Sequence, residues 1–219
     1  MCIHEDFIIN DLDNVDEGTD SDVEPALWFD ESAELNTLLA EARTLAGSKN
    51  DPKIRLLAKH VKELLAEGFN PVIFCRFVAT AQYVYDALKE ELKKEDDVAI
   101  GCVTGELVPG EREERVNDLG EKEKRVLVAT DCLSEGINLQ DLFTAVVHYD
   151  LAWNPTRHEQ REGRVDRFGQ KAKEVRCSMI YGENNPVDGF ILKVILRKSE
   201  EIKKDLGVIV PIPEKKEAI

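Results

Sequence analysis

The chain has 219 residues, 42% of them hydrophobic, and a formal net charge of −15. That is enough apolar material for one well-buried core, which excludes a chain disordered throughout. No apolar run approaches the length of a membrane span, and the opening MCIHEDFIIND carries neither a basic leader nor a long apolar stretch, so a soluble, cytoplasmic protein is expected.

The acidity is local. Thirteen of the 44 acidic residues fall within residues 1–42, which hold no Lys or Arg, so the remaining chain sets 31 acidic against 29 basic side chains. The net charge therefore says little about the partners of the body of the protein. The five cysteines form no CxxC pair, and most sit in apolar runs; reduced, buried thiols are expected, with neither a zinc site nor a disulfide framework.

Residues 10–25, NDLDNVDEGTDSDVEP, are poor in apolar side chains and read as a loop or disordered segment. Leu35, Leu38, Leu39, Ala42 and Leu45 then recur at helical spacing until Gly47. Asp30-Glu31-Ser32-Ala33 resembles the acidic magnesium box of ATPases, but without an upstream phosphate loop Asp30 or Ser32 is better placed as a helix N-cap. Asp51-Pro52 opens a second helix, with Ile54, Leu57, Ala58, Val61, Leu64 and Leu65 as its apolar face, ending at Gly68.

From there strand and helix alternate. Short β-branched runs at Val72–Phe77, Val98–Val103, Arg125–Thr130, Ala145–Asp150 and Val175–Tyr181 read as strands buried on both faces. Helical patterns at Thr80–Lys94, Pro109–Leu119 and Thr156–Phe168 lie between them. This order predicts a doubly wound, mainly parallel β-sheet covered by helices on both faces. A last helix, Val187–Leu206, is expected to stop at Gly207, with VIVPIP extended beyond it.

Ligands of open α/β sheets gather at the carboxyl ends of the strands. The segments that follow three of the strands are unusual: Thr104-Gly105-Glu106, ATDCLSEGINLQ, and DLAWNPTRHEQREGRVDRFGQ. If Thr156–Phe168 is helical, Gln160, Arg164 and Arg167 stand at i, i+4 and i+7 on one face, and Arg161 points away from it as a structural residue. Two planar, permanently charged donors at a strand end suit phosphate oxygens. Gly163, costly inside a helix, suggests close approach of another group to its backbone. The alternative is a solvated helix whose arginines pair with Glu159, Glu162 and Asp166.

VIFCRF, RVLVATDCLSEGINLQ, AVVHYDLAWNP and EQREGRVDRFGQ, in this order and at these spacings, closely resemble motifs IV, V and VI of the second RecA-like lobe of Swi/Snf-type ATPases in helicase superfamily two. SEGINLQ with QREGRVDRFGQ is most similar to the prokaryotic RapA-like branch. The resemblance implies a RecA-like fold over residues 51–213, preceded by an acidic segment (1–30) and a helical lead-in (31–50) and followed by a tail (214–219).

It also implies roles. Arg164 and Arg167 match the arginine fingers that reach the ATP γ-phosphate, and Gln160 matches the residue coupling their segment to the interlobe cleft. Gly136 and Asn138 match motif V positions beside the nucleotide. Thr104, Gly105, Thr130 and Asp131 match positions facing the nucleic-acid backbone, and Trp153, Asn154 and Pro155 lead into motif VI. Such ATPases use ATP with Mg2+, held mainly by an N-terminal RecA-like lobe.

No GxxxxGK[ST] occurs in the sequence, so the first lobe, in cis or in trans, is expected to be a partner. Double-stranded nucleic acid, DNA in the first place, and RNA polymerase or another nucleoprotein complex complete the expected partners, with no membrane. The resemblance implies a helicase-like translocase lobe, inactive alone, with no metal ligands of its own. A catalytically silent interaction module is the competing expectation.

Overall fold

The computed structural model describes residues 33–47, 49–93, 95, 97–133, 137–152, 154–182, 188–195 and 197. The expected loop at 10–25, the N-cap at Asp30 or Ser32, Gly136, Trp153, and the last helix beyond residue 197 with VIVPIP fall outside them.

Helix α1 is Ala33–Leu45, α2 is Pro52–Ala66, and strand β1 is Pro71–Phe74. They are followed by α3 (Val78–Leu92), β2 (Val98–Val103), α4 (Pro109–Leu119), β3 (Lys124–Ala129), β4 (Ala145–His148), α5 (Pro155–Glu162) and β5 (Arg176–Met179). A short 3-10 turn occupies Leu139–Asp141, and residues 188–195 are helical. None of the described helices is long and apolar enough to cross a membrane.

The strands form one all-parallel sheet in the order β2-β3-β1-β4-β5. Because side chains alternate across a strand, the sheet divides its apolar residues between two cores. Ile73, Val126, Val128 and Val147 pack with the apolar faces of α2 and α3. Val72, Phe74, Leu127, Ala129 and Val146 pack on the other side with Val116 and Leu119 of α4, and with Leu139, Phe143 and Val165 from the loops. The central strands β1 and β4 are buried at every position, whereas the outer strands β2 and β5 are half-exposed along most of their length. A strand with one neighbour has one open side, so burial on both faces holds only for the centre of the sheet.

Local chemistry sets the helix limits. Asp51 caps α2 by accepting from the amides of Lys53 (2.8 Å) and Ile54 (3.2 Å), and Pro52 fills the first turn, where no N–H partner is needed. Gly68, at φ +86°, ends it. The apolar side expected for α1 stays uncovered among the described residues: Leu38 is 62% exposed and Leu45 61%.

The structure corrects one element. The helix expected over Thr156–Phe168 is α5, ending at Glu162 with Gly163 as its C-cap. The chain then tightens through bonds from the Arg164 amide to the Arg161 carbonyl (3.3 Å) and from Val165 to Glu162 (2.9 Å). Val165, with no exposure, turns into the core between the sheet and Phe143. Burial of that side chain wins over continuing a charged helix into solvent. Gly163 is thus a terminator, not a mid-helix glycine left bare for a ligand, and a Cβ there would stand 3.1 Å from the Glu159 carbonyl of its own helix.

Candidate nucleotide and nucleic-acid interface

The loops that carry the expected chemistry all leave the carboxyl ends of the strands. The ladder persists one residue past β1, β3, β4 and β5: the Cys75 amide donates to Ala129 O (2.8 Å), Thr130 to Val103 O (3.2 Å), Tyr149 to Phe74 O (3.0 Å) and Ile180 to His148 O (3.0 Å). Each loop therefore starts from a fixed point.

Helix α5 rises from the loop after β4. Asn154 caps it, its side chain accepting from the Thr156 amide at 3.1 Å, with Pro155 in the first turn. The inward side of this helix is polar: His158, Arg161 and Glu162 are 3%, 2% and 5% exposed. Charges and hydrogen bonds, not apolar packing, hold α5 down.

Arg161 donates through Nε and Nη2 to the two carboxylate oxygens of Asp131 (2.6 and 2.8 Å) and through Nη1 to the Asp150 carbonyl (3.1 Å). This fork joins the loops after β3 and β4 to the helix. Its guanidinium also lies 5.5 Å from the centre of the Phe74 ring. Arg157 adds a second cation 3.6 Å from Asp131. Burial alone would raise the Asp131 carboxyl. The Arg161 hydrogen bonds and charge, helped by Arg157 and Arg164, prevail and hold it below its ordinary value.

Arg164 donates to the Leu133 carbonyl, in the loop that carries Asp131. Three arginines thus act on one carboxylate.

Beneath it lies a buried polar cluster. His148 Nε2 is 3.0 Å from Glu162 Oε1, and the rings of His148 and His158 meet edge to face at 4.5 Å. Burial, with the Arg161 charge, pushes His148 down to about 3; burial and His148 push His158 down to about 3. Burial, with the Asp166 charge, pushes Glu162 up to about 7. In a site this dry the neutral form is favoured on both sides of the His148–Glu162 contact.

The expected site residues are distributed as follows. Arg164 is half-buried, while Gln160 and Arg167 are exposed; since α5 stops at Glu162, no helical face carries all three. Arg161, expected to be structural, is buried and paired, and its partner is Asp131 instead of a neighbour on its own helix. Glu162, also offered as an arginine partner, goes to His148. Asp131, expected at the nucleic-acid backbone, has its carboxylate engaged by arginine.

Thr130 is 2% exposed, and its hydroxyl has no partner among the described residues; Thr104 is 7% exposed. Both side chains are buried, whereas Gly105 is half-buried and Glu106 beside it is exposed. Asn138 is exposed just before the 3-10 turn. Sequence reasoning missed His148, His158 and the pairing of Arg161 with Asp131. A histidine ending the otherwise apolar run AVVH was the available signal for the buried cluster.

Comparison with known proteins agrees with this fold. The family described as "Helicase conserved C-terminal domain" matches residues 52–169. An uncharacterized ATP-dependent helicase, YqhH of Bacillus subtilis, is 39% identical over 94 residues, which is 42% of this chain and 16% of that protein. The fold resembles the Sulfolobus solfataricus SWI2/SNF2 ATPase core in complex with dsDNA, with a TM-score of 0.55 and 24% identity, covering 78% of this chain and 36% of that one. It also resembles domain 2 of the DEAD-box helicase Mss116p bound to an RNA duplex, with a TM-score of 0.56 and 20% identity over 76% of this chain and 60% of that one. The chain spans about a third or less of the first curated helicases it matches. The matched region takes in more than half of the 219 residues and contains every strand but β5, so this protein belongs to the helicase conserved C-terminal domain family, with the RecA-like sheet of a helicase C-terminal lobe.

Proposed function

We propose that this chain is the second lobe of a two-lobe, nucleic-acid-dependent ATP hydrolase of the Swi/Snf type, in its prokaryotic RapA-like branch. Its domain is residues 51–213, with 1–30 and 31–50 as appendages. The observation that carries the reading is the gathering of Arg157, Arg161 and Arg164 on Asp131 at the carboxyl ends of the strands. Planar, permanently charged guanidiniums gathered at strand ends suit the phosphates of a nucleotide bound across a cleft.

In this reading Arg164 and the exposed Arg167 turn toward the γ-phosphate when a first lobe, in cis or in trans, closes on the site. Gln160, Gly136 and Asn138 line the same cleft. The bond from Arg164 to the Leu133 carbonyl is a resting position that lobe closure would exchange for a phosphate oxygen. Mg2+ would sit with ATP, held mainly by the first lobe. Gly105 and the loop backbones after β2 and β3 would meet duplex DNA without reading its sequence. Alternate closing and opening of the lobes moves the duplex, in a cytoplasmic enzyme or one working beside RNA polymerase.

The test is Arg164→Ala and Arg167→Ala in the complete two-lobe protein, with duplex DNA and ATP. Each variant should lose at least about a hundredfold in turnover, since an arginine aimed at transferring phosphate contributes that much or more. Nucleotide affinity should change far less. Turnover within threefold of wild type for both variants would sink the reading.

A further inference from the structure

Glu162 is buried at the end of α5. Its carboxyl lies 3.0 Å from His148 Nε2 at the end of β4, and it also accepts from the Cys177 thiol of β5. Cys177 stands across from Val146 in the parallel register, and His148 follows Val146 by two positions, so both side chains face α5 from neighbouring strands. One side chain thus grips two adjacent strands of the sheet.

The same residue holds the turn that follows. The Glu162 carbonyl accepts from the amides of Val165 (2.9 Å) and Asp166 (2.8 Å), and the Gly163 amide donates to Glu159 O (2.7 Å). At the far end the Gln170 side chain donates to the carbonyls of Val165 (3.0 Å) and Phe143 (3.1 Å). Arg164 and Arg167 lie between these two fixed ends. Gln170 ties its end to a loop, whereas Glu162 ties the other to the strands themselves. A buried hydrogen bond is directional, so this contact fixes the height and rotation of the helix end, which an apolar side chain of similar size would leave free to slide.

We infer that Glu162 is a positioning residue: its grip on His148 and Cys177 sets the turn that presents Arg164 and Arg167 to the nucleotide. The inference rests on the reading of those two arginines given above, and it gives Glu162 itself no contact with ATP.

Among the described residues, the ionisable groups facing the carboxyl are His148 of β4, Cys177 of β5 and Asp166 of the turn, with His158 and the Arg161–Asp131 pair behind His148. Burial and the Asp166 charge push Glu162 up to about 7, and burial, with the Glu162 charge, pushes the Cys177 thiol up to about 12. The carboxyl therefore keeps its place as the uncharged acid. That form prevails below pH 7 and is lost as pH climbs through 7.

The test uses the complete two-lobe protein with duplex DNA and ATP, and the variants Glu162→Gln and Glu162→Ala. Glutamine imitates the uncharged carboxyl and cannot ionise. At pH 6 Glu162→Gln should keep turnover within about threefold of wild type. Glu162→Ala should lose at least about tenfold in kcat, with KM for ATP and duplex affinity within about threefold, because misplacing a catalytic group by about 1 Å can cost a hundredfold. From pH 6 to pH 8 the turnover of wild type relative to Glu162→Gln should fall at least about threefold, as the wild-type carboxyl ionises. Amide exchange at residues 163–166, followed at pH 6 without ATP or duplex, should quicken in Glu162→Ala and not in Glu162→Gln.

A ratio of wild type to Glu162→Gln that stays constant with pH overturns the inference, as does Glu162→Ala turnover within threefold of wild type. Should Glu162→Ala not fold, the pH comparison with Glu162→Gln decides alone. If Arg164→Ala and Arg167→Ala keep wild-type turnover, the parent reading falls. Unchanged exchange at residues 163–166 in Glu162→Ala overturns this inference alone.

Discussion

Arg161 and Lys122 both form ion pairs, and their surroundings give those pairs different weight. Lys122 and Asp97 meet at 2.7 Å with both side chains more than half exposed, where water screens the charge and the pair contributes little. Arg161 is 2% exposed, and its removal leaves the Asp131 carboxylate and the Asp150 carbonyl without their donor. Arg161→Met should therefore destabilise folding by about 3 kcal/mol, and Asp131→Asn by a similar amount, because each strands a partly buried partner. Urea unfolding of both single variants and the double variant checks this, with the double costing clearly less than the sum. A loss below about 0.5 kcal/mol for Arg161→Met, the range of ordinary surface substitutions, would contradict the geometry. At this scale the sequence set Arg161 apart as structural and was silent about its partner. Asp131 is thirty positions from Arg161, and no helical or strand periodicity links such a pair.

At the scale of elements, β2 and α4 were legible to the residue, because Val98–Val103 is a continuous apolar run and Pro109 marks a helix start. How closely they pack was not. A Cβ on Gly101 would lie 2.9 Å from Leu119 Cδ1 and 3.3 Å from its Cδ2, so the glycine lets the α4 leucine press on the strand. Gly101→Val should cost roughly 1–3 kcal/mol by overpacking. Adding Leu119→Ala, which vacates that space, should recover part of the loss, as measured by thermal unfolding of the single and double variants. If the double variant is worse by the full sum, the contact is not the cause. The end of α5 was the element misjudged. QREGRVDRFGQ continues the helical pattern past Gly163, and only the demand to bury Val165 beside Phe143 stops it.

At the scale of the whole molecule, stability should depend on acid through the buried cluster. His148 and His158 drop from 6.5 in the open chain to about 3 in the fold, so their contribution is complete above pH 6.5 and is lost as pH falls toward 3. Glu162 rises from 4.5 to about 7, so it acts in the opposite sense, favouring the fold most at low pH and losing that effect as pH climbs through 7. Between pH 4.5 and 6.5 the unfolded chain thus binds about one proton more than the fold, and unfolding free energy should fall by about 1.4 kcal/mol for each unit that the pH drops. Below 4.5 the slope should steepen as the Glu162 offset disappears. His158→Gln should flatten the upper window, as chemical denaturation at a series of pH values would reveal; an unchanged slope would place the proton uptake elsewhere. The sequence by itself determined the alternation of strands and helices, the parallel sheet and the motif that gathers the arginines, because periodicity and order are local properties of a chain. Only the tertiary structure decided where α5 ends, that Arg161 belongs to Asp131, and that Glu162 meets His148. Those outcomes depend on which distant backbone groups meet at the carboxyl ends of adjacent strands, and the strand order β2-β3-β1-β4-β5 is what brings them there.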